Sequence, residues 1–343
     1  VPACNTTRLR GQEQFYDVDV TNYSAFGELR YQRDAMTVFA GGRYTKAEIG
    51  QVGQFQVVSP TVGPVRTSDV QDTENEFTWR VGAQYDVKPD VMVFATIARG
   101  FKQAQVAQMT AQTSASLVAP ERPMSYEVGV KASAFERRLN LNFSAFYMNI
   151  EDYQTTACYP DPPNPPACVA GNIPEVISKG VEADIFGRLG RGLSVNLNMI
   201  YNIAEYPNDF LADDFTPLEG QQISHAPKFA AALYAMQEFP VFGSKDGFVS
   251  IDAAYKSRER LGTVSNTEYY SFGSHAVLGA RIGLRSQDRW NLALFVNNLT
   301  NQETPQEFGT LVNQAPDPAG AVQSALQTYR GLRSVGLQAT FEF

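Results

Sequence analysis

Apolar and polar residues alternate at period two through most of the chain. In FTWRVGAQYDV, Phe77, Trp79, Val81, Ala83, Tyr85 and Val87 share one face, and Thr78, Arg80, Gly82, Gln84 and Asp86 the other. LNLNFSAFY sets Leu139, Leu141, Phe143, Ala145 and Tyr147 against Asn140, Asn142, Ser144 and Phe146. LSVNLNMIYNI sets Leu193, Val195, Leu197, Met199 and Tyr201 against Ser194, Asn196, Asn198 and Asn202. The chain closes on Val335, Leu337, Ala339, Phe341 and Phe343 alternating with Gly336, Gln338, Thr340 and Glu342. Successive side chains of a strand point to opposite faces, so each segment has an oily and a wet side. The pattern predicts about thirteen strands, near 19–31, 36–49, 75–87, 91–101, 124–134, 138–153, 175–189, 192–206, 221–239, 247–260, 269–286, 289–299 and 329–343.

The connections alternate in length. QRDA, KPD, FER, GR, PVFGSKD and QD are short, and long polar segments lie between them near 50–74, 102–123, 154–174, 207–220, 261–268 and 300–328. A β-sandwich has no reason to place a long loop at every second turn, whereas an outer-membrane barrel has short periplasmic turns and long extracellular loops. The same alternation also occurs in soluble sandwiches, with the oily face inward. Charges deep in the strands argue against that. Arg43, Arg80, Glu127, Lys131, Glu182, Asp184, Asp252 and Arg281 all fall on the wet side, with mixed signs suited to a hydrated lumen. Aromatics recur near strand ends on the oily side: Tyr31, Tyr85, Trp290 and Phe341 at one rim, Tyr147, Tyr201 and Tyr255 at the other. The expected fold is an all-β, antiparallel transmembrane β-barrel wall. Tyr85, Trp290, Phe341 and Phe343 are its inner membrane-interface aromatics.

Composition adds exclusions. The net charge of −8 and a pI near 5.0 leave no basic face for nucleic acid. No run approaches the ~18 consecutive apolar residues of a membrane helix. The mean hydropathy of −0.26 suits a barrel, which shows lipid only every second residue. VPACNTTRLR has no apolar signal-peptide core. Of three cysteines, Cys158 and Cys168 bracket the Pro-rich CYPDPPNPPAC and suggest a disulfide in an oxidising compartment; Cys4 is left over.

Enzymatic motifs are absent: no HExxH, CxxC, GxSxG or P-loop, and His225 and His275 lie in separate strands. Asp213 and Asp214 read as a solvated loop face, and no catalytic residue, cofactor or resident metal is expected. RSQDR at 285–289 reads as a periplasmic turn. Ligand contacts are sought in the outer loops and upper lumen wall, where aromatics and forked donors serve recognition. The candidates are Tyr159, Tyr206, Phe210, Phe215, Lys256, Arg258, Arg260, Tyr269 and Tyr270. Lys256, Arg258 and Arg260 rise along one wet face toward an anionic ligand, lipopolysaccharide phosphates or the acids of a plug.

VFATIARGFK (93–102), PERPMSYEVGVKASAFERRLNLNFSAFYMNIEDYQ (120–154), SKGVEADIFGRL (178–189), LALFVNNLTNQE (292–303) and RSVGLQATFEF (333–343) resemble the C-terminal barrel half of TonB-dependent outer-membrane transporters. Glu121, Ser125, Tyr126, Glu127, Gly129 and Lys131, the Asn297–Asn298–Leu299 run and Phe343 carry the resemblance most specifically. It implies a barrel of about 22 strands with a plugged lumen. It further implies active uptake of a scarce nutrient, a ferric siderophore or similar metal chelate, driven by a TonB complex. Residues 1–343 then form one partial barrel domain, with 1–18 the end of an extracellular loop. An odd strand count and an open edge in lipid are both awkward for a complete barrel. The expectation is therefore the last thirteen strands of a longer protein, or a barrel whose plug and other half come from a separate chain. Outer-membrane lipid and lipopolysaccharide are the expected surroundings. A passive porin and a surface adhesin are the alternative functions.

Overall fold

A computed structural model describes residues 11–59, 62–109, 114–159, 167–208, 220–243, 245–260, 271–286, 290–312, 323–329 and 331–341. Its regular elements are strands: β1 (Gly11–Arg33), β2 (Met36–Ser59), β3 (Arg66–Lys88), β4 (Val91–Arg99), β5 (Gln105–Ala107), β6 (Ser116–Val118), β7 (Arg122–Ala134), β8 (Leu139–Tyr159), β9 (Ala167–Leu189), β10 (Leu193–Glu205), β11 (Phe229–Phe242), β12 (Lys245–Lys256), β13 (Glu259–Arg260), β14 (Ser271–Phe272), β15 (His275–Ser286), β16 (Trp290–Asn297), β17 (Pro305–Val312), β18 (Gln323–Tyr329) and β19 (Ser334–Phe341). Thirteen make one antiparallel sheet, in the order β1-β2-β3-β4-β7-β8-β9-β10-β11-β12-β15-β16-β19. The pairs β5–β6, β13–β14 and β17–β18 are ribbons within three of the long connections. The thirteen strands predicted from alternation are the thirteen of this sheet.

Register settles which residues share a face. Tyr44 stands opposite Ala25 and Phe77, and Tyr85 opposite Met36 and Val93. Arg43 stands opposite Phe26 and Thr78, and Arg80 opposite Gly41 and Ala98. Continued across the ladders, one face carries Leu29, Val81, Val128, Phe143, Val181, Ile251, Leu294 and Leu337, all exposed. The opposite face carries all eight of the charged side chains placed on the wet side. Leaving large apolar side chains bare in water is unfavourable, so the oily face is the one that meets hydrocarbon.

The polarity reverses along the longest strands, and the reversal marks the membrane boundary. Up to Tyr23, Tyr44 and Phe77 the outward face is apolar. Beyond them it carries Asp17, Asp19, Glu48, Asp69, Gln71 and Thr73, with Phe15 and Val52 as exceptions. The inward face turns apolar there, with Val18, Val20, Ile49, Phe55 and Val70. The β8–β9 hairpin repeats the switch: Asn149, Glu151 and Glu175 face out while Ile150 and Val176 face in. Val176, Ile173 and Tyr206 form a small buried cluster, packed by Tyr153 and Ile223. At the boundary itself runs an aromatic belt, with Tyr126 and Tyr147 rings 6.3 Å apart and Phe229 and Tyr255 rings 5.9 Å apart. Tyr31 to Tyr23, at about 3.3 Å per residue and allowing for strand tilt, spans most of an apolar band about 25 Å tall.

Several boundaries differ from those expected. Residues 11–18, read as loop, continue β1, and 50–59 with 66–74 extend the β2–β3 hairpin. Outside the membrane neither face meets lipid, so the alternation changes sign while the backbone ladder continues. The strand expected from 221 starts at Phe229, after Pro227, which has no N–H to donate to a ladder. The strand expected from 329 enters the sheet only at Ser334, and Gln323–Tyr329 pair with β17 instead. Among the described residues, β1 and β19 each have one sheet neighbour.

Candidate ligand-binding site at the mouth of the lumen

In the connection from β4 to β7, residues 100–109 and 114–121 fold inward over the lumen side of β1–β3. Tyr16 donates from Oη to the Met109 carbonyl at 2.7 Å, and Asn22 Nδ2 donates to Gln103 Oε1 at 3.2 Å. Glu74 accepts the Ala104 amide at 3.3 Å. From the far side, Gln154 Nε2 donates to the carbonyls of Gln103 (3.0 Å) and Ala119 (2.9 Å), and Asn172 Nδ2 donates to Ala119 (2.9 Å). Ala104, Ala107, Met109 and Val118 are buried by this docking. The apolar inward faces above the membrane are therefore partly covered by the protein's own loop.

Two ion-pair clusters clamp the ends of the connection. Lys102 Nζ reaches Glu121 Oε1 at 2.9 Å, and the same carboxylate oxygen accepts the Gln154 amide at 2.9 Å. Arg122 donates through Nε (2.9 Å) and Nη2 (2.5 Å) to Glu76 and lies 3.5 Å from Asp152. Asp152 occupies the left-handed region at φ 55°, where the β8–β9 ladder skips one facing pair while its register continues unchanged. Glu76 beside it holds the Arg122 guanidinium above its ordinary range. Burial raises the Glu74 carboxyl, opposed in part by the bond from the Ala104 amide.

The family-like residues acquire separate tasks. Glu121 anchors the loop and Tyr126 joins the outer belt. Glu127 faces the lumen, and Gly129 lies directly across from Phe94, over whose ring Lys131 sits at 5.4 Å. Asn298, at φ 50°, organises the β16 exit through bonds to Gln302 and Gly331.

The predicted ligand residues divide. Lys256 pairs with buried Glu259 at 3.2 Å, and Arg258 donates to Ser271 Oγ at 2.8 Å. Arg260 bonds Gln221, and its carbonyl accepts the His225 amide at 2.8 Å. Tyr206 meets the same segment: its amide donates to the Gln221 carbonyl, and its hydroxyl lies 3.2 Å from Ser224 Oγ. The structure thus brings Tyr206 and Arg260 together through residues 221–225, but buries the Tyr206 ring in the cluster with Ile173 and Val176. Phe210, Phe215, Tyr269 and Tyr270 lie outside the described residues, as do Cys4, Asp213, Asp214 and Phe343, and residues 287–289 of the RSQDR turn. Of Tyr159, Cys158 and Cys168 only the backbone is described; the two cysteines are direct cross-strand partners at the β8–β9 tip. Tyr85 and Phe341 are exposed on the lipid face near the inner rim, with Trp290 directly across from Phe341.

Residues that pattern reading missed sit on the wall between β1 and β4. Asn22, Phe26, Glu28, Arg43, Arg80 and Gln103 line a cavity of about 930 Å³ under the inward loop. Alternation alone puts Arg43 and Arg80 on the wet face but does not bring them to a site. Nothing in the sequence shows that residue 103 returns to cover them.

Comparison with known proteins gives one consistent answer. The family model described as "TonB dependent receptor-like, beta-barrel" matches residues 4–299. The metal-pseudopaline receptor CntO of Pseudomonas aeruginosa (strain UCBPP-PA14) is 26% identical over 233 residues, 64% of this chain and 31% of that protein. The ferric-pyoverdine M114 receptor PbuA of Pseudomonas sp. (strain M114) is 25% identical over 317 residues, 90% of this chain and 36% of that protein. The chain thus spans about a third of the length of these curated relatives. The crystal structure of the ferric yersiniabactin uptake receptor FyuA from Yersinia pestis superposes with a TM-score of 0.79 at 17% identity, covering 97% of this chain and 47% of that one, a likeness of fold.

Proposed function

The chain belongs to the TonB-dependent receptor-like β-barrel family, and from that premise we propose that it is part of the wall of an active bacterial outer-membrane transporter for metal chelates, with ferric siderophores the leading class. The outer membrane is where this family's barrels stand, and the exposed oily face with its aromatic belts suits that setting. The observation that carries the reading is the family match over residues 4–299, on a sheet whose charged face turns inward. The curated relatives are receptors for metal–pseudopaline and ferric pyoverdine, which supports a chelate as cargo here.

An open strand edge cannot stand in lipid, so further strands, from the same or a separate chain, complete the barrel beside β1 and β19. By the family resemblance, a plug fills the lumen and a TonB complex acts on it. Lipopolysaccharide surrounds the strands above Tyr23 and Tyr44. Tyr159, Phe210, Phe215, Tyr269 and Tyr270 contribute to ligand capture from the outer loops, with Lys256, Arg258 and Arg260 on the upper wall. A disulfide joins Cys158 to Cys168.

Uptake of radio-iron from a panel of chelates by cells with and without the gene tests the reading. The expected result is saturable uptake that a protonophore abolishes. Uptake proportional to concentration and indifferent to the protonophore would overturn it in favour of a passive channel. The inward-folded connection 100–121 is the observation that favours that second reading, since such a loop narrows a pore.

A further inference from the structure

The cavity under the inward loop is positively charged, although the chain carries a net charge of −8. Its ionisable side chains on the lumen face are one carboxylate, Glu28, and two guanidinium groups, Arg43 and Arg80; Arg99 also borders it but stands across from Trp79, on the outward face. Glu28 is engaged by Arg80, whose Nε lies 2.8 Å from Oε2. Arg43 is held differently. Its Nη2 donates to Ser24 Oγ at 2.7 Å and its Nε to Thr45 Oγ1 at 3.2 Å, and its guanidinium sits 5.9 Å from the Phe26 ring centre. Among the described residues no carboxylate pairs with it. Hydroxyls and a ring face fix the geometry of a cation without neutralising it, which is the preparation an anion site needs. The roof adds a donor: Gln103 accepts from Asn22, while its own Nε2 is buried without a hydrogen-bond partner. Phe26 and Phe101 supply aromatic surface in the same lining.

We propose that this cavity is a subsite for a planar anionic group, a carboxylate or phenolate arm of a metal chelate, with Arg43 as its principal contact. The inference rests on the chelate-receptor reading and adds to it the charge class of the cargo and the residue that selects it. A guanidinium matches a planar anion with two parallel bonds. Arg80 is the weaker contact, because its charge is already offset by Glu28. Gln103 closes the site from above, so docking of residues 100–109 is part of it.

Two experiments on the receptor made from its whole gene test this. In the first, phenylglyoxal labelling of the purified protein is mapped by peptide mass in the presence of benzoate or its neutral isostere benzamide. Benzoate is expected to slow labelling of Arg43 about fivefold, the scale of a charge-assisted bond over a neutral one, with benzamide and the turn residue Arg137 showing no change. Equal Arg43 rates with both probes would overturn the subsite. In the second, cells carrying wild-type receptor, Arg43→Gln or Arg43→Lys take up iron from ferric citrate and from cationic ferrioxamine. Arg43→Gln is expected to lose about tenfold on the anionic chelate alone, with partial recovery in Arg43→Lys. Protonophore-sensitive uptake with no such selectivity would sink the subsite and leave the transport reading intact. Benzoate protection without any energised chelate uptake would sink the transport reading and leave an anion site.

Discussion

On the lumen face Phe39, Phe94, Phe248 and Phe295 stand directly opposite Gly82, Gly129, Gly283 and Gly336. Each ring lies over its glycine. Arg30 and Arg80 flank the Phe39 ring at 5.9 and 5.5 Å, and Arg281 sits 5.6 Å from that of Phe295. An apolar ring is thereby kept out of lumen water between a bare backbone and a cation. A Cβ on Gly129 would meet the Phe94 ring and the Phe143 carbonyl oxygen, each at 2.6 Å. The ring is flexible but the carbonyl is held by the ladder. Gly129→Val is therefore expected to destabilise the folded sheet by about 1–3 kcal/mol, measured by denaturant unfolding from lipid vesicles. An unchanged midpoint would show that the backbone there yields.

At the scale of elements, the connection 100–121 is held chiefly by polar contacts, so its docking should respond to pH. Burial raises the Glu74 carboxyl, with Asp72 and Glu76 nearby adding to the shift, and with the Ala104 amide and Arg122 opposing it. A carboxyl raised above its unfolded value favours the docked form when protonated. That contribution is complete below the ordinary carboxylate range and is lost as pH rises through the raised value. Hydrogen exchange of residues 103–109, corrected for intrinsic rates, is expected to show more protection at pH ~5 than at pH ~7.5. Glu74→Gln, which keeps an acceptor for the Ala104 amide, should remove the difference. Glu74→Gln exchange that still follows pH would assign the effect to another group.

The β8–β9 hairpin gives a second prediction at this scale. Cys158 and Cys168 are opposed in register, a placement within the span that a disulfide bridges. Mass spectrometry of the unreduced protein should find their peptides joined. Two free thiols in protein taken from an oxidising compartment would refute it.

For the whole molecule, orientation of the sheet is the central claim, and one adjacent pair of residues tests it. Leu197 faces lipid midway along β10, between Leu193 and the belt residue Tyr201, and Asn198 faces the lumen. Leu197→Arg should cost about 2–4 kcal/mol of folding free energy in a bilayer, as arginine does at the midplane of a barrel's lipid face. Asn198→Arg should change it by less than about 1 kcal/mol, because the lumen is hydrated. Folding titrations in vesicles read both. The reverse order of costs would turn the sheet inside out and remove the basis for transport.

Strand number and faces were legible in the sequence, because lipid and lumen impose opposite solvents on alternate residues and that alternation is local. Leu141 against Asn142 and Val81 against Arg80 need no partner strand to be read. The family-like run from Glu121 to Lys131 was legible too, as a pattern whose separate tasks stayed hidden. What the tertiary structure decided lies outside the hydrocarbon or between distant segments. The extension of β2 and β3 past Ile49 and Thr73 rests on backbone pairing that hydropathy does not record. The return of Gln103 over Arg43, the clamp of Arg122 on Glu76 and the burial of Tyr206 join residues dozens of positions apart. Such contacts arise from where three-dimensional packing brings loops to rest, and no one-dimensional periodicity encodes them.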